Sequence, residues 1–301
     1  MDAARFHEPR RRMIPIRSPW GDGEMAVLDF GDPARPVDVV FVHANGFNAP
    51  TYRSVLAPLS ASLRIVAPDL RGHGMTRLKA DPKGRRSWKD FRDDLAALLD
   101  VLGGPPMTLA GHSMGGTAAL LAAAERPQRV SNLVLFDPVI WTPFYTTLAH
   151  LPGAQALARA RAPIARTAAR RRSVFDSRTA AFQAYKGRGA FAGWSETALA
   201  DYVAGGFHER PDGQVELACT PEWETSNFVS QANDPRGALS RLDRPVRILK
   251  AERRSTCRLG DPAQVRRKWH HARLQTVAGG SHFFPIERPD LVRDAILDAA
   301  V

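Results

Sequence analysis

The sequence predicts an α/β fold, a mostly parallel sheet with helices on both faces, interrupted by one long insertion. Three observations predict it. Apolar runs too continuous for one-sided exposure recur at residues 37–42, 63–67, 107–110, 130–136, 246–249 and 274–277, as expected of strands buried on both faces. Segments of helical period separate several of these runs, and strand alternating with helix is the signature of a helix-covered parallel sheet. More than one hundred residues lie between Phe136 and Val246, whereas a crossover between parallel strands needs only a dozen or more.

In chain order, residues 13–17 and 24–30 read as extended segments joined by a turn around Gly21 and Gly23, a hairpin. The β-branched run 37–42 suits a central strand, and 63–67 is a second, stopped by Pro68. From Ser87 the period changes. Trp88, Phe91, Leu95, Leu98, Leu99 and Leu102 recur at three- and four-residue spacing, with Ser87 as N-cap, Asp90 three residues on, and Gly103 and Gly104 as the stop. A short strand at 107–110, a small-residue helix at 115–125 and a buried strand at 130–136 follow. Residues 140–233 hold helical patches and many aromatics, among them Trp141, Phe144, Tyr145, Trp194 and Tyr202. They read as a helical cap over the C-terminal edge of the sheet. The expected organisation is therefore core over 1–139, helical cap or lid over 140–233, and core again over 234–301. Residues 289–300 close the chain as an amphipathic helix offering Leu291, Ile296 and Ala299 to the core.

Composition narrows the class. Hydrophobic residues make up 44% and charged residues 24%, which places the chain among soluble globular proteins and away from disordered or fibrous ones. Cys219 and Cys257 have no paired or metal-type spacing, which excludes a disulfide scaffold. Residues 1–12 are polar and arginine-rich without an apolar stretch of signal-peptide length, and the small-apolar run 117–124 is too short to cross a bilayer. The expectation is a cytoplasmic protein with no membrane span. The formal net charge is +11, and between His150 and Ala190 nine Lys or Arg face one acid, Asp176. No helix-turn-helix, zinc-finger or RNP-type pattern accompanies that stretch, so it reads as a solvated, helix-compatible arginine surface and no nucleic-acid partner is expected.

The chemistry centres on Gly111-His112-Ser113-Met114-Gly115, a G-x-S-x-G with a strand before it and a helix after it. Glycine neighbours let strand and helix approach closely while the serine turns sharply between them and projects Oγ. The following helix N-terminus offers the Met114 backbone N–H to a developing oxyanion. A serine needs a base. Of nine histidines, His282 follows the last strand directly within Gly279-Gly280-Ser281-His282, which puts it at the same sheet edge as Ser113. His112 is expected to point away, His43 and His73 to brace loops, and His270 and His271 to be solvated helix residues. The loop His43-Ala44-Asn45-Gly46-Phe47 follows a core strand, and the Asn45 backbone N–H is placed to be the second oxyanion donor.

Taken together, His43-Ala44-Asn45-Gly46-Phe47, Asp69-Leu70-Arg71-Gly72-His73-Gly74, Gly111-His112-Ser113-Met114-Gly115-Gly116 and Gly280-Ser281-His282-Phe283, in this order, resemble the capped α/β-hydrolase superfamily over roughly residues 25–140 and 240–300. Asn45 is similar in position to the halide-binding asparagine loop of haloalkane dehalogenases. That family and the epoxide hydrolases use an aspartate nucleophile, and Ser113 argues against both chemistries. The resemblance implies an α/β-hydrolase fold and a serine hydrolase acting on a carboxylic ester or similarly activated carbonyl through an acyl-enzyme. It implies neither cofactor nor metal, and a small-molecule substrate, acyl or aromatic in character given the aromatic-rich cap. The same triad also serves carbon–carbon cleavage, lactone opening and perhydrolysis, and the fold also serves non-catalytic ligand binding. Most relatives carry the triad acid shortly after the strand ending here at Leu249, where this chain reads Lys250-Ala251-Glu252-Arg253-Arg254-Ser255. Two acids remain: Asp137, directly after the preceding strand and given an extended bias by Pro138, and Glu252, with Arg253 and Arg254 beside it as ion-pair partners. Asp137 is the preferred one.

Overall fold

The computed structural model describes residues 8–300. Residues 1–7, which open the segment read above as lacking a leader, and Val301 lie outside the described residues. Eleven strands are present among them: β1 (Arg10–Ile16), β2 (Gly23–Phe30), β3 (Val39–Val42), β4 (Ile65–Pro68), β5 (Met107–His112), β6 (Val130–Phe136), β7 (Val174–Phe175), β8 (Phe207–Glu209), β9 (Val215–Leu217), β10 (Val246–Ala251) and β11 (Ala272–Val277). Eight of them form one sheet in the order β1-β2-β4-β3-β5-β6-β10-β11. β2 runs antiparallel to both of its neighbours, and every pairing from β4 to β11 is parallel.

Side chains alternate across this sheet, as the two-residue strand period requires. Val40, Val42, Leu109, Leu133 and Leu135 enter one core with the helices Lys89–Leu102 and Met114–Glu125. Val39, Phe41, Ala110, Val134 and Phe136 enter a second core with Tyr52, Leu56 and the helix Pro289–Ala300. The sheet is therefore buried on both faces, which is why its central strands carry unbroken apolar runs.

Two local expectations change. The first long helix begins at Lys89 with Trp88 in the capping position, and Ser87 caps nothing. Asp90 is instead held by both arms of Arg85, at 2.7 and 2.9 Å, and a bidentate charge-assisted pair outweighs a serine cap. His270 and His271 do not lie on a helix but in the turn before β11, where the His271 ring Nε2 meets the Leu239 carbonyl at 3.1 Å.

Between β6 and β10 the chain forms seven short α-helices, one 3-10 helix (Gly189–Phe191) and a three-stranded antiparallel sheet in the order β7-β9-β8. That small sheet is absent from the all-helical reading of 140–233, because strands of two or three residues are too short to display an alternating pattern. This excursion rests on the loops at the C-terminal ends of the parallel strands. Trp223 Nε1 donates to the Arg71 carbonyl at 2.9 Å, and Asn48 Nδ2 to the Tyr202 carbonyl at 3.1 Å.

One close approach fixes the sheet edge. A Cβ on Gly115 would stand 2.3 Å from the His43 carbonyl oxygen and 2.4 Å from that of Val42, both backbone atoms that cannot rotate away. The N-terminus of helix Met114–Glu125 is thus pressed onto the end of β3. Gly115→Ala is expected to lower stability by about 1–3 kcal/mol through overpacking. Urea unfolding of both proteins tests this, and an unchanged midpoint would mean that helix and strand separate at no cost.

Candidate active site

Ser113 ends the turn between β5 and its helix at φ 55° and ψ −120°, a conformation rarely adopted by a side-chain-bearing residue. Two bonds hold it there. Its N–H donates to the Phe136 carbonyl at 2.9 Å, and its own carbonyl accepts the first helical bond from Thr117 at 3.1 Å. His282 is delivered by the turn after β11, where Gly280 N–H returns to the Val277 carbonyl at 3.0 Å. The imidazole spans two partners, with Nε2 3.0 Å from Ser113 Oγ and Nδ1 2.6 Å from Asp137 Oδ2.

Asp137 is fully buried and also stands at positive φ, 42°, not in the extended conformation that Pro138 favours. Its surroundings override that local preference. The carboxylate accepts from the Ala251 N–H at 2.9 Å, the Thr256 N–H at 3.0 Å, the Ser255 hydroxyl and His282, while the Asp137 N–H donates to the Leu249 carbonyl at 2.7 Å. Burial alone would raise this carboxyl, but the His282 bond and charge, with the Ser255 and Ala251 donors, hold it below its usual range. Glu252 stands apart from the histidine. Its carboxylate accepts the Gly279 N–H at 2.7 Å, and Arg253 turns to the Gly279 carbonyl, so Glu252 ties two loops together without either neighbouring arginine.

An anionic carboxylate at Nδ1 keeps the proton on that nitrogen and leaves the Nε2 lone pair facing Ser113 Oγ–H. Such an arrangement can take the hydroxyl proton as a nucleophilic oxygen forms. Met114 follows Ser113 directly, and the loop carrying Asn45 follows β3, the strand beside β5. The Asn45 side chain is turned away, its Nδ2 donating to the Glu224 carbonyl at 3.1 Å and its Oδ1 accepting from Asn227 at 2.8 Å. Among the described residues neither the Asn45 nor the Met114 backbone N–H donates to a protein group. The contact of Gly115 with the His43 carbonyl sets these two segments side by side.

The other histidines brace this edge. His43 Nε2 accepts the Leu70 N–H at 2.9 Å, and His73 Nε2 accepts the Gly46 N–H at 3.2 Å. His112 Nε2–H donates to the His282 carbonyl at 2.8 Å and its Nδ1 accepts the Tyr52 hydroxyl at 2.7 Å, while the Tyr52 oxygen accepts the Ala44 N–H at 3.3 Å. One buried chain of bonds thereby links the loop after β3, the residue before Ser113 and the backbone of His282. No motif marks Tyr52, Ser255 or Thr256, and only the fold reveals them. Beside His282 lies an aromatic group: Phe283 is 5.3 Å from its ring, and Phe47 stands between Phe283 and Trp194 at 6.1 and 5.2 Å. The Trp194 indole N–H is buried there without a partner. Among the described residues no three His, Cys, Asp or Glu side chains converge as a metal site would, and both cysteines are buried and free.

Residues 39–295 match the model of the alpha/beta hydrolase family. The chain belongs to the alpha/beta hydrolase family. It is 35% identical over 118 residues to the magnesium-chelatase 30 kDa subunit of Rhodobacter capsulatus, covering 39% of this chain and 38% of that protein. It is 36% identical over 110 residues to lipase LipV of Mycobacterium tuberculosis, covering 36% and 40%. The chain thus spans only about two-fifths of the length of these relatives. Among solved structures it is similar to a thioesterase domain from the curacin biosynthetic pathway, with a TM-score of 0.76 at 20% identity over 97% of this chain and all of that one, a likeness of fold. Among the described residues no helix of this hydrolase-family chain is long and apolar enough to cross a membrane.

The buried rings make a pH prediction. Burial lowers His43, His73 and His112, the last to about 3. Below the ordinary histidine value of about 6.5 the unfolded chain binds protons that the folded chain does not. Stability is therefore full above that value and falls as pH drops below it; for His112, whose folded value is about 3, the slope approaches about 1.4 kcal/mol per pH unit, and His43 and His73 add to it in the same direction. Unfolding free energies measured from pH 7 to pH 5 are expected to show this slope, and a flat profile would mean that the rings are not buried neutral.

Proposed function

We propose that this chain is a serine hydrolase that cleaves a carboxylic ester, or a similarly activated carbonyl compound, through an acyl-enzyme. The observation that carries the reading is the unbroken line from Ser113 Oγ through the His282 ring to the buried Asp137 carboxylate, at 3.0 and 2.6 Å. Ser113 Oγ attacks the carbonyl carbon as its proton passes to His282 Nε2, and Asp137 orients the ring and stabilises the imidazolium. The Asn45 and Met114 amides, which donate to no protein group among the described residues, hold the oxyanion. His282 then protonates the leaving alcohol, and water repeats the sequence to release the acid. No cofactor or metal takes part in this reading.

Residues 140–233 act as the cap over this centre, and Phe47, Trp194 and Phe283 form the wall against which an acyl or aromatic substrate packs. The lipase among the partial relatives is in keeping with ester chemistry. Hydrolysis of p-nitrophenyl esters of increasing chain length tests the activity. Ser113→Ala and His282→Ala are each expected to lower kcat by roughly five to six orders of magnitude, because members of one triad fail together. Asp137→Asn is expected to cost on the order of 10⁴ through loss of the correct tautomer, and Glu252→Gln tenfold or less. More than a few per cent residual activity in Ser113→Ala would overturn the nucleophile, and the reverse ranking of the two acids would overturn Asp137.

A further inference from the structure

The outer side of the excursion carries a surface that the proposed chemistry does not use. Three short helices, Pro143–Ala149, Ala154–Arg161 and Pro163–Ala169, follow one another, and the last two lie against the helix Pro221–Val229. The last of them faces that helix with Ala165 and Ala168, both buried, and Thr225 Oγ1 donates to the Ala165 carbonyl. Among the described residues nine large hydrophobic side chains stand exposed, and six of them, Phe144, Tyr145, Leu148, Leu151, Leu157 and Ile164, fall within this stretch. Phe144 is 69% exposed and Ile164 56%. The same stretch carries Arg159, Arg161, Arg166 and Arg170, all exposed and none in an ion pair among the described residues. No acid occurs from residue 138 to residue 175.

We propose that residues 143–170 form a docking face for the surface of an anionic lipid bilayer. Short helices that expose apolar side chains together with unpaired cations lie in the plane of a membrane interface, where acyl chains receive the apolar groups and anionic headgroups the charges. Charge selects this occupant over the others. A second copy of the chain meeting this face across a two-fold axis would set four unpaired arginines against four more. A nucleic acid would match the arginines and leave Phe144, Leu148 and Leu157 without a partner.

Flotation of the full chain with vesicles of phosphatidylcholine alone, or of phosphatidylcholine mixed with phosphatidylglycerol, tests the proposal. Binding is expected to be at least about tenfold tighter to the mixed vesicles and to weaken as salt rises. Two sets of exposed substitutions should each weaken it by about tenfold or more: Arg159→Glu with Arg161→Glu, Arg166→Glu and Arg170→Glu, and separately Phe144→Asp with Leu148→Asp. A control on another face, Arg266→Glu with Arg267→Glu and Lys268→Glu on the helix Pro262–Lys268, should leave binding intact. Circular dichroism and thermal melts verify that each variant folds. Absence of binding to anionic vesicles overturns the proposal, as does an equal loss in the control, which would assign binding to net charge alone. So does a dimer, seen by light scattering, that Phe144→Asp disperses, or duplex DNA binding that only the arginine set abolishes.

Discussion

The backbone of Ser113 stands where a side-chain-bearing residue rarely stands, and the surrounding structure is organised to keep it there. A conformation of this kind costs on the order of 1–3 kcal/mol and persists only where neighbours over-determine it. Here the Ser113 N–H is taken by Phe136 on β6 and its carbonyl by Thr117 in the helix, so the sharp turn is tied to a strand on one side and to the first helical turn on the other. The tie requires helix and sheet to touch. Gly111 and Gly115 permit that contact, and the helix that follows buries Ala118, Ala119, Ala122 and Ala123 completely or nearly so. A helix apolar on every side has no solvent face, and its sequence reads accordingly.

The motif at residues 69–74 belongs to the same scaffold and not to the chemistry. Asp69 accepts the Ala49 N–H at 2.7 Å and the Met75 N–H at 3.0 Å, closing two loops on one buried carboxylate. Arg71 is buried against Asp94 in a two-armed pair at 2.7 and 2.8 Å, with the Lys79 and Trp20 carbonyls taking further donors. A fully bonded buried pair is strongly destabilising to break and close to neutral to replace whole. Its value here is positional. The Arg71 carbonyl accepts from both His73 Nδ1 and Trp223 Nε1, and His73 in turn holds the Gly46 N–H beside Asn45.

This division explains what the sequence discloses and what it withholds. The parallel strands are legible because burial on both faces leaves no polar position to break their runs, and Ser113 and His282 are legible because each sits in a glycine-rich turn adjoining a strand end. Asp137 is legible as a position and not as a conformation. Pro138 acts on it locally, whereas its positive φ is set by donors more than one hundred residues away, at Ala251, Ser255 and Thr256. Tyr52 is invisible for the same reason, since its importance lies in joining Ala44 to His112 through space. The Ser87 cap fails because Arg85 reaches Asp90, a competition that no capping pattern records.

Arginine in the excursion shows how one residue type divides by side. Arg171 faces inward, in contact with Glu224 at 2.6 Å and the Tyr202 hydroxyl at 2.9 Å, while Arg159, Arg161, Arg166 and Arg170 face outward. Composition counts all five alike, and only the fold separates the paired charge from the free ones. The inward pair also joins the excursion to the site. The Glu224 carboxylate lies against Gly46, its carbonyl accepts the Asn45 side chain, and Asn227, one helical turn further on, holds the other end of that amide. The helix Pro221–Val229 is therefore bonded directly to the loop that carries Asn45. The two outer helices packed on Pro221–Val229 carry the exposed apolar side chains Leu157 and Ile164. The outer helices, the helix Pro221–Val229 and the loop after β3 are thus joined by direct contacts.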